Sequence, residues 1–341
     1  MSNNFRNNVI KIGFIGAGNH ATSVLYPVIQ SFEQARIVAV CDLNRKKAEF
    51  IGSRFGVDSI YTDYCKMVEK ENLNAIFCCG GPKLHYEAIC MLIGKGIPIF
   101  VEKPPAPTAN DAKKIALLAK QHNTHVMVAF MHRFASITVW AKKAMSTPEF
   151  GKLLMLSAKE GIWGTDIGNV IMDSGIHHID LLRYLGGDLK WLFAANSTDG
   201  KKRHGFAVTV CLKNNVVGTL NINSLESLST PSDVIEIYGD NGQWIKLENW
   251  DKAVWYRDPA NLWSPPDDPR NSSLIYEHSW TAAGTNRSVR IQGYINEVAH
   301  FLDCIVSGNA PTPDLWDGYK AMQIVEAIYK SAETGEKVYF E

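Results

Sequence analysis

The chain has 341 residues, of which 46% are apolar, so it is long enough for about two domains and apolar enough for an ordinary core. Its 35 basic residues balance 35 acidic residues, and the formal net charge is zero. Because there is neither a net charge nor a run of basic residues, nucleic acid and anionic membrane surfaces are poor candidate partners.

The seven cysteines form no CxxC pair and show no Cys/His spacing typical of a metal site. An odd number of cysteines in a chain of this length favours a reducing compartment over a disulfide framework. The polar residues 1–8 lack the apolar core of a signal peptide. No stretch approaches the ~20 apolar residues of a membrane span. We therefore expect a cytoplasmic protein that binds no metal ion.

The first predicted strand, Val9–Ile15, runs directly into the sequence GAGNHA, which begins at Gly16 and leads into a helix. In a strand–GxGxxA–helix unit, Gly16 permits the tight turn and Gly18 lets the backbone approach a pyrophosphate. Ala21 lets the helix pack closely on the strand, with the phosphates at the positive end of the helix. The same loop contributes Asn19 and His20 as candidate cofactor-binding residues.

A second predicted strand, Arg36–Cys41, ends at Asp42. A carboxylate in this position accepts hydrogen bonds from the adenosine ribose hydroxyls and disfavours a 2′-phosphate, which predicts NAD as the cofactor. The alternative is that Asp42 caps a helix starting near Arg45. Arg45 and Lys46 leave room for NADP, the less favoured cofactor, because both could pair with a 2′-phosphate.

Further apolar strands at residues 74–79, 97–101 and 126–130 alternate with helices, which predicts a parallel sheet with right-handed crossovers. Ligands bind at the carboxyl ends of such strands. The candidate cofactor-binding residues at those ends are Gly80, Gly81, Pro82, His85, Glu102 and Lys103, and Arg133 follows the last strand. For His20 and His85 we expect packing or bonding to the backbone rather than proton transfer.

Asp173 and His177 are four residues apart at the start of a helix predicted to run to about Leu185, so they share one face. A carboxylate beside an imidazole can fix its tautomer and stabilise its protonated form, as a general base requires. Taken alone, however, the spacing fits an N-cap at Asp173 and a buried structural histidine at His177 better. His178 points about 100° away and is interpreted as structural.

From Lys152 onward the pattern changes to consecutive strands with turn signals, which predicts an antiparallel meander. These strands cover residues 153–158, 191–195, 206–212, 216–222, 233–238 and 244–247. Region 249–290 contains Trp250, Trp255, Trp263 and Trp280. These tryptophans could stack on sugar rings, and packing over the sheet or at a subunit interface is at least as favoured.

Several ordered motifs together resemble the Gfo/Idh/MocA family, the group of glucose–fructose oxidoreductase and inositol dehydrogenase. The resemblance covers essentially the whole chain. It rests on the GAGNHA loop, Pro82 with His85, Glu102-Lys103-Pro104, Arg133-Phe134, the DxGxH motif from Asp173 to His177 with Ile179 and Asp180, and Tyr294, Glu297 and Phe301 near the end. Where a glycine pair is usual before the aspartate, this chain has Gly168-Asn169.

The resemblance implies that Lys103 lies beside the nicotinamide and the substrate hydroxyl, and that Asp173 and His177 form the acid–base pair. Arg133 is a candidate substrate-binding residue, and an ion pair at a helix start is an equally good interpretation. The resemblance also implies a homodimer or homotetramer that associates through the open sheet. The departure at Gly168-Asn169 affects the local loop shape and removes no catalytic group.

Together these features predict an α/β protein with an N-terminal Rossmann fold on a parallel sheet, residues 1–131, and a C-terminal α/β domain, residues 132–341. The second domain is expected to contain a large open, mostly antiparallel sheet, and the active site is expected between the two domains. The predicted activity is hydride transfer between a secondary hydroxyl of a sugar or cyclic polyol and nicotinamide. The alternatives are an NAD-dependent glycosidase of the same fold and a non-catalytic NAD-sensing protein.

Overall fold

The computed structural model describes residues 9–161, 170–200, 203–226, 232–257, 273–277 and 287–341. Two units are formed: the first comprises Met1–Met131 and Tyr294–Met322, the second His132–Gly293 and Gln323–Glu341. The first unit therefore breaks at Met131 and also takes in residues 294–322, and the division into residues 1–131 and 132–341 stays a prediction. Among the described residues, no helix has both the length and the apolar character needed to cross a bilayer.

Six parallel strands of the first unit form one sheet in the order β3-β2-β1-β4-β5-β6. The strands are β1 (Ile10–Ile15), β2 (Ala35–Cys41), β3 (Ser59–Tyr61), β4 (Ala75–Cys78), β5 (Ile99–Glu102) and β6 (Val126–Ala129). Every residue of β4, β5 and β6 is buried, as expected for parallel strands covered on both faces. The order reverses between β1 and β4, and the crevice at such a reversal is where these sheets bind ligands.

The helices of the first unit alternate with its strands as the sequence predicts. They are α1 (Tyr26–Gln30), α2 (Arg45–Phe55), α3 (Tyr64–Lys70), α4 (Pro82–Leu92), α5 (Ala109–Gln121) and, near the end of the chain, α9 (Tyr294–Ser307). One π-helical turn, Ala21–Leu25, precedes α1. Phe301 of α9 packs edge-on against Phe77 of β4 and Phe100 of β5, with ring centroids 5.4 and 5.6 Å apart.

In the second unit, nine described strands form a sheet in the order β14-β13-β12-β11-β7-β10-β9-β8-β15. The strands are β7 (Leu153–Gly161), β8 (Leu189–Thr198), β9 (His204–Leu212), β10 (Val217–Asn223), β11 (Asp233–Gly239), β12 (Trp244–Glu248), β13 (Lys252–Tyr256), β14 (Leu274–Glu277) and β15 (Val338–Tyr339). The predicted fold class, with a mostly antiparallel second sheet, is confirmed. The predicted antiparallel meander is present over β8–β10 and over β11–β14. It does not extend across the whole sheet, because β7 lies between β10 and β11 and runs parallel to β10.

The departure from a meander follows from the helix that comes after β7. The chain leaves β7 for α7 (Ile176–Gly186) before it returns to the sheet as β8. A crossover through a helix lets a strand pair later with distant strands, whereas a tight turn would force neighbours to pair. The other helices whose residues fall partly or wholly in this unit are α6 (Ser136–Met145), α8 (Arg287–Ile291) and α10 (Leu315–Thr334).

Candidate functional site

The loop after β1 has the shape that the glycine motif predicts. Gly16 has φ +109°, and a Cβ there would lie 1.9 Å from the carbonyl oxygen of Cys79, at the end of β4. No other residue type fits this turn. A Cβ on Gly18, in contrast, would meet nothing within 4 Å, so the space beside its backbone is open on the side where a pyrophosphate would approach.

Asp42 at the end of β2 holds the glycine loop through its carboxylate. One oxygen accepts a hydrogen bond from the Ala17 N–H at 2.8 Å, and the other accepts from the Asn44 N–H at 2.8 Å. The cap of α2 is Asn44, whose side chain accepts from the Lys47 N–H, so the alternative role of Asp42 as helix cap is wrong. Each carboxylate oxygen retains capacity for a ribose hydroxyl, because a carboxylate offers about four acceptor positions.

Arg45, the predicted contact to a 2′-phosphate, lies in the first turn of α2. Its Nε donates to Glu49 Oε1 at 2.8 Å, and both side chains are exposed. An exposed pair of this kind is easily exchanged for another partner. The arrangement adds no support for NADP, and the cofactor-binding role of Arg45 stays a prediction.

His20 and Glu102 connect the loop after β1 to the end of β5. His20 Nε2 lies 3.1 Å from Glu102 Oε1, and the other Glu102 oxygen accepts from the Lys103 N–H at 3.2 Å. Burial alone would raise the pKa of the Glu102 carboxyl, but His20 and Lys103 hold it below its usual value. Burial alone would lower the pKa of His20, and Glu102 raises it above its usual value. Glu102 is therefore ionised.

His85 joins the loops after β4 and β5 through backbone groups, as expected from the sequence. Its Nε2 accepts a hydrogen bond from the Gly80 N–H at 2.9 Å, and its Nδ1 lies 2.8 Å from the Pro104 carbonyl oxygen. These partners define a neutral ring with the proton on Nδ1. Gly81 and Pro82 begin α4 beside it, as N-cap and first helical residue.

Lys103 extends from a loop that is anchored on both sides. Its own N–H donates to Glu102, and the next residue, Pro104, is joined to it by a cis peptide bond and accepts the His85 bond. The side chain is half-buried. A lysine fixed this way at the carboxyl end of a central strand is placed where ligands of such sheets bind.

In the second unit, Asp173 lies in the helical turn just before α7, and His177 is the second residue of α7. The helix begins before Asp173, in a π-helical turn at Ile171–Gly175, so the alternative role of Asp173 as N-cap is wrong. Asp173 is exposed and His177 is buried. Gly175 lets the helix approach the sheet, because a Cβ there would lie 2.5 Å from the Ile222 Cδ1 of β10.

Arg133 forms a bidentate ion pair with Asp180 of α7. Its Nε and one terminal nitrogen lie 2.7 and 2.6 Å from the two carboxylate oxygens, and the Asp180 side chain is only 1% exposed. Arg133 is therefore held in an ion pair, the kind of interaction offered as the alternative to substrate binding. These contacts hold the Arg133 guanidinium against α7. Its predicted role in substrate binding stays a prediction.

The sequence did not single out His132 or the position of Trp250. The His132 ring stacks on the Trp250 indole at 3.6 Å, and its centroid lies 5.0 Å from that of His177. The only signal was the position of His132 directly before Arg133. Trp250 has φ +66° in the turn between β12 and β13, and no sequence pattern indicated that this turn packs near α7.

Part of the aromatic region falls outside the described residues. Trp250 and Trp255 are buried, and Trp255 lies in β13. Trp263, Trp280 and the Gly168-Asn169 departure lie outside the described ranges. Packing over the sheet, one of the two interpretations, therefore applies to Trp250 and Trp255.

Comparison with known sequences assigns both parts of the chain to one oxidoreductase family. Residues 10–130 match its NAD-binding Rossmann fold, and residues 158–340 match its C-terminal alpha/beta domain. The chain is 26% identical to an inositol 2-dehydrogenase/D-chiro-inositol 3-dehydrogenase from Halalkalibacterium halodurans, over 97% of this chain and 93% of the relative. It is 24% identical to a D-glucoside 3-dehydrogenase from Escherichia coli, over 96% and 97%.

Solved structures share the fold over nearly the whole chain. A levoglucosan dehydrogenase in complex with NADH and levoglucosan superposes with a TM-score of 0.84 at 20% identity, covering 97% of this chain and 99% of the other. At this identity the likeness shows the fold alone. The two family matches confirm the predicted resemblance and the prediction of NAD as cofactor.

Proposed function

The chain belongs to the Gfo/Idh/MocA family of oxidoreductases, and from that premise we propose that it is a sugar or polyol dehydrogenase. It transfers a hydride between a secondary hydroxyl carbon of its substrate and NAD. The observation that carries the proposal is the point between β1 and β4 where the first sheet reverses its strand order, since such sheets form a ligand-binding crevice there. Around it lie the Gly16–Gly18 loop, Asp42 and the anchored Lys103.

The residues around this crevice fit NAD. The open space beside Gly18 would accommodate the pyrophosphate, and the Asp42 carboxylate would accept hydrogen bonds from the ribose hydroxyls. When bound, the nicotinamide accepts the hydride. The ionised Glu102, held by His20, fixes the backbone of Lys103 so that its ammonium can donate a hydrogen bond to a substrate hydroxyl.

We propose that His177 and Asp173 supply the acid–base chemistry. His177 takes the hydroxyl proton as the hydride leaves, and Asp173 stabilises the imidazolium that results. His177 is buried on α7, whose position is set by the Arg133–Asp180 ion pair and the close approach at Gly175. A fixed helix holds a base at the constant distance that proton transfer requires.

The substrate class is proposed from the relatives. Those named above act on inositols and glucosides, which share secondary hydroxyls on a six-membered ring. The carboxylate–imidazole pair and the lysine proposed here suit the same chemistry, since both act on a hydroxyl group and need no other functional group of the substrate.

A panel of inositols, aldoses, amino sugars and glucosides with NAD and NADP tests the proposal, with reduced nicotinamide followed by absorbance. We expect steady NAD reduction with at least one secondary-alcohol substrate. Release of a free sugar from a glucoside without net NADH would indicate a glycosidase. Tight NAD binding without turnover of any panel member would indicate a sensor. Either result would contradict the proposal that the chain is a dehydrogenase.

We also propose that copies of the chain associate through the open face of the second sheet. Val217 of β10 and Met155 of β7 are register partners on that face, and Phe193 of β8 lies on the same side. All three are exposed, as expected for a surface that another subunit covers. Light scattering should give a dimer or tetramer, and Val217→Lys should shift the mass toward the monomer. A monomeric wild type would contradict this.

A further inference from the structure

A cluster of two carboxylates and a histidine lies on the covered face of the second sheet, directly beside the motif that carries Asp173 and His177. Glu160 of β7 and Asp233 of β11 are register partners on adjacent antiparallel strands. Glu160 is 4% exposed. Like charges placed directly opposite each other destabilise a sheet, and burial increases the repulsion. The pair is therefore more stable with a cation or a proton between the two carboxylates than with both carboxylates bare.

His178 of α7 lies against both carboxylates. Its Nδ1 is 3.0 Å from Glu160 Oε2 and its Nε2 is 3.7 Å from Asp233 Oδ1, and the residue is 1% exposed. One donor atom from each of the three residues can be chosen so that all lie within 4.8 Å of one another. Three elements distant in sequence thus bring one nitrogen and two oxygen ligands together.

The second oxygen of each carboxylate is already held by a neighbouring donor. Glu160 Oε1 accepts a hydrogen bond from the Ser174 hydroxyl, and Asp233 Oδ2 accepts from Trp250 Nε1 at 2.8 Å. The remaining oxygens, Oε2 and Oδ1, are those nearest to His178. Metal-binding carboxylates are commonly oriented by such outer hydrogen bonds.

The contact between Glu160 and His178 is short but is not directed like a hydrogen bond. Within the described part of the chain, Glu160 Oε2 and both ring nitrogens of His178 have no hydrogen-bond partner of acceptable geometry. The 3.7 Å between Nε2 and Asp233 is beyond hydrogen-bond range. Two ligands at ~2.1 Å from one metal ion lie about 3.0 to 3.5 Å apart and point at the ion, not at each other.

We propose that Glu160, His178 and Asp233 bind one divalent transition cation of the Zn²⁺ or Mn²⁺ class. A neutral imidazole with two carboxylates suits such ions, and a charge of +2 neutralises both carboxylates. The ion ties α7 to β7 and β11. Because Ser174 also bonds to Glu160, the ion stabilises the helical turn that carries Asp173 and takes no part in hydride transfer.

The competing arrangement is a protonated His178 between the two carboxylates. Burial alone would lower the pKa of His178, while Glu160 and Asp233 raise it above its usual value. In that arrangement Nδ1 faces Glu160 and Nε2 faces Asp233, but neither ring N–H makes a directed hydrogen bond. It is the outcome that would overturn the proposal.

Metal analysis of the whole protein, produced without a histidine tag and purified without chelator, gives the first test. We expect about one Zn²⁺ or Mn²⁺ per chain, removal by a strong chelator with a fall in Tm, and recovery of Tm when the ion returns. Co²⁺ added to the stripped protein should give visible bands of a site with nitrogen and oxygen ligands. Substoichiometric metal, with no calorimetric binding of Zn²⁺, Mn²⁺ or Co²⁺, would establish the protonated arrangement instead.

Variants locate the ion. His178→Gln and Glu160→Gln should abolish the calorimetric signal, whereas His204→Gln, another histidine of the same unit, should keep it. Ser174→Ala and Trp250→Phe remove only the outer hydrogen bonds and should weaken binding by about 10- to 100-fold. These two milder changes keep the test decisive if the ligand variants do not fold. Unchanged affinity in all four would place the metal elsewhere and refute the site, independently of NAD binding.

Discussion

The two candidate regions of this molecule are built in different ways. In the first unit, the Rossmann residues lie on loops after neighbouring strands and bond largely to backbone groups: Asp42 to Ala17, His85 to Gly80 and Pro104. In the second unit, His177 lies on a helix whose position depends on side chains. These are the Arg133–Asp180 pair and the cluster around His178. Substitutions should therefore lower the free energy of unfolding modestly in the first region and strongly in the second, whatever their effect on the reaction.

The largest effect is expected in the second region. His177→Ala should lower kcat/KM by about 100- to 10,000-fold, the contribution of a general base, and leave NAD affinity unchanged. Asp173→Asn should cost less, because the base itself remains. Steady-state kinetics with calorimetric NAD titration measure both, with His204→Gln as the control that keeps activity. If His177→Ala kept a nearly wild-type kcat/KM, His177 would not be the general base.

Lys103→Ala should lower turnover by about 100-fold or more and leave the Kd of NAD nearly unchanged, since its proposed partner is the substrate hydroxyl. Lys83→Ala, an exposed lysine on α4, is the matched control. If Lys103 and His177 act on the same substrate hydroxyl in one step, the double variant should lose less than the product of the single losses. If the loss of activity in the double variant equalled the product of the two single losses, the residues would act in separate steps.

Arg133→Gln tests the dependence of the second region on buried ion pairs. It leaves the Asp180 carboxylate buried without its bidentate partner, which should lower the free energy of unfolding by about 3–5 kcal/mol. Arg45→Gln in the first unit breaks an exposed pair and should change little. Urea unfolding of both variants makes the comparison. Equal losses would contradict the contrast between the regions.

Asp42→Ser should reduce the preference for NAD over NADP by about 10- to 100-fold, the worth of charge-assisted bonds to the ribose. The Ala17 N–H that Asp42 holds can be bonded by the shorter hydroxyl only if the loop shifts, so NAD itself should also bind more weakly. Calorimetric titration of both cofactors decides. Tighter NADP binding by the wild type would overturn the assignment.

The smallest effect concerns His85. Burial lowers its pKa below the usual ~6.5, so below that pH the unfolded chain takes up a proton that the folded chain does not. The free energy of unfolding should therefore fall as pH drops, by at most about 1.4 kcal/mol per pH unit. His20, whose pKa is raised, contributes stability that is lost as pH rises through that value.

Because the two histidines act in opposite directions, the useful quantity is the difference between variant and wild type. Tm measured from neutral to mildly acidic pH should depend less on pH in His85→Gln than in the wild type. His122→Gln, which removes an exposed histidine, should follow the wild type. Parallel curves for all three would show that the pKa of His85 does not differ between the folded and unfolded chains.

Local sequence predicted the first region well for a definite reason. Its alternation of strands and helices and its glycine loop follow from alternating apolar runs and glycines. The bonds of Asp42 and His85 run to backbone atoms that every residue provides. The sequence left open whether Asp42 caps α2. In the structure the cap is Asn44, whose side chain accepts a hydrogen bond from the Lys47 N–H. The short strand β3 was missed, because its three half-buried residues give no apolar run.

In the second unit, sequence alone determined that strands follow one another with a helix carrying Asp173 and His177. Only the tertiary structure decided that β7 pairs with β10 and β11, and this pairing sets Glu160 opposite Asp233 under His178. Pairing between distant strands depends on which sheet faces can be buried together. An alternating apolar pattern shows which face of the sheet a residue lies on, but not which strand lies beside it. Residues that meet only through such pairing carry no spacing signal along the chain.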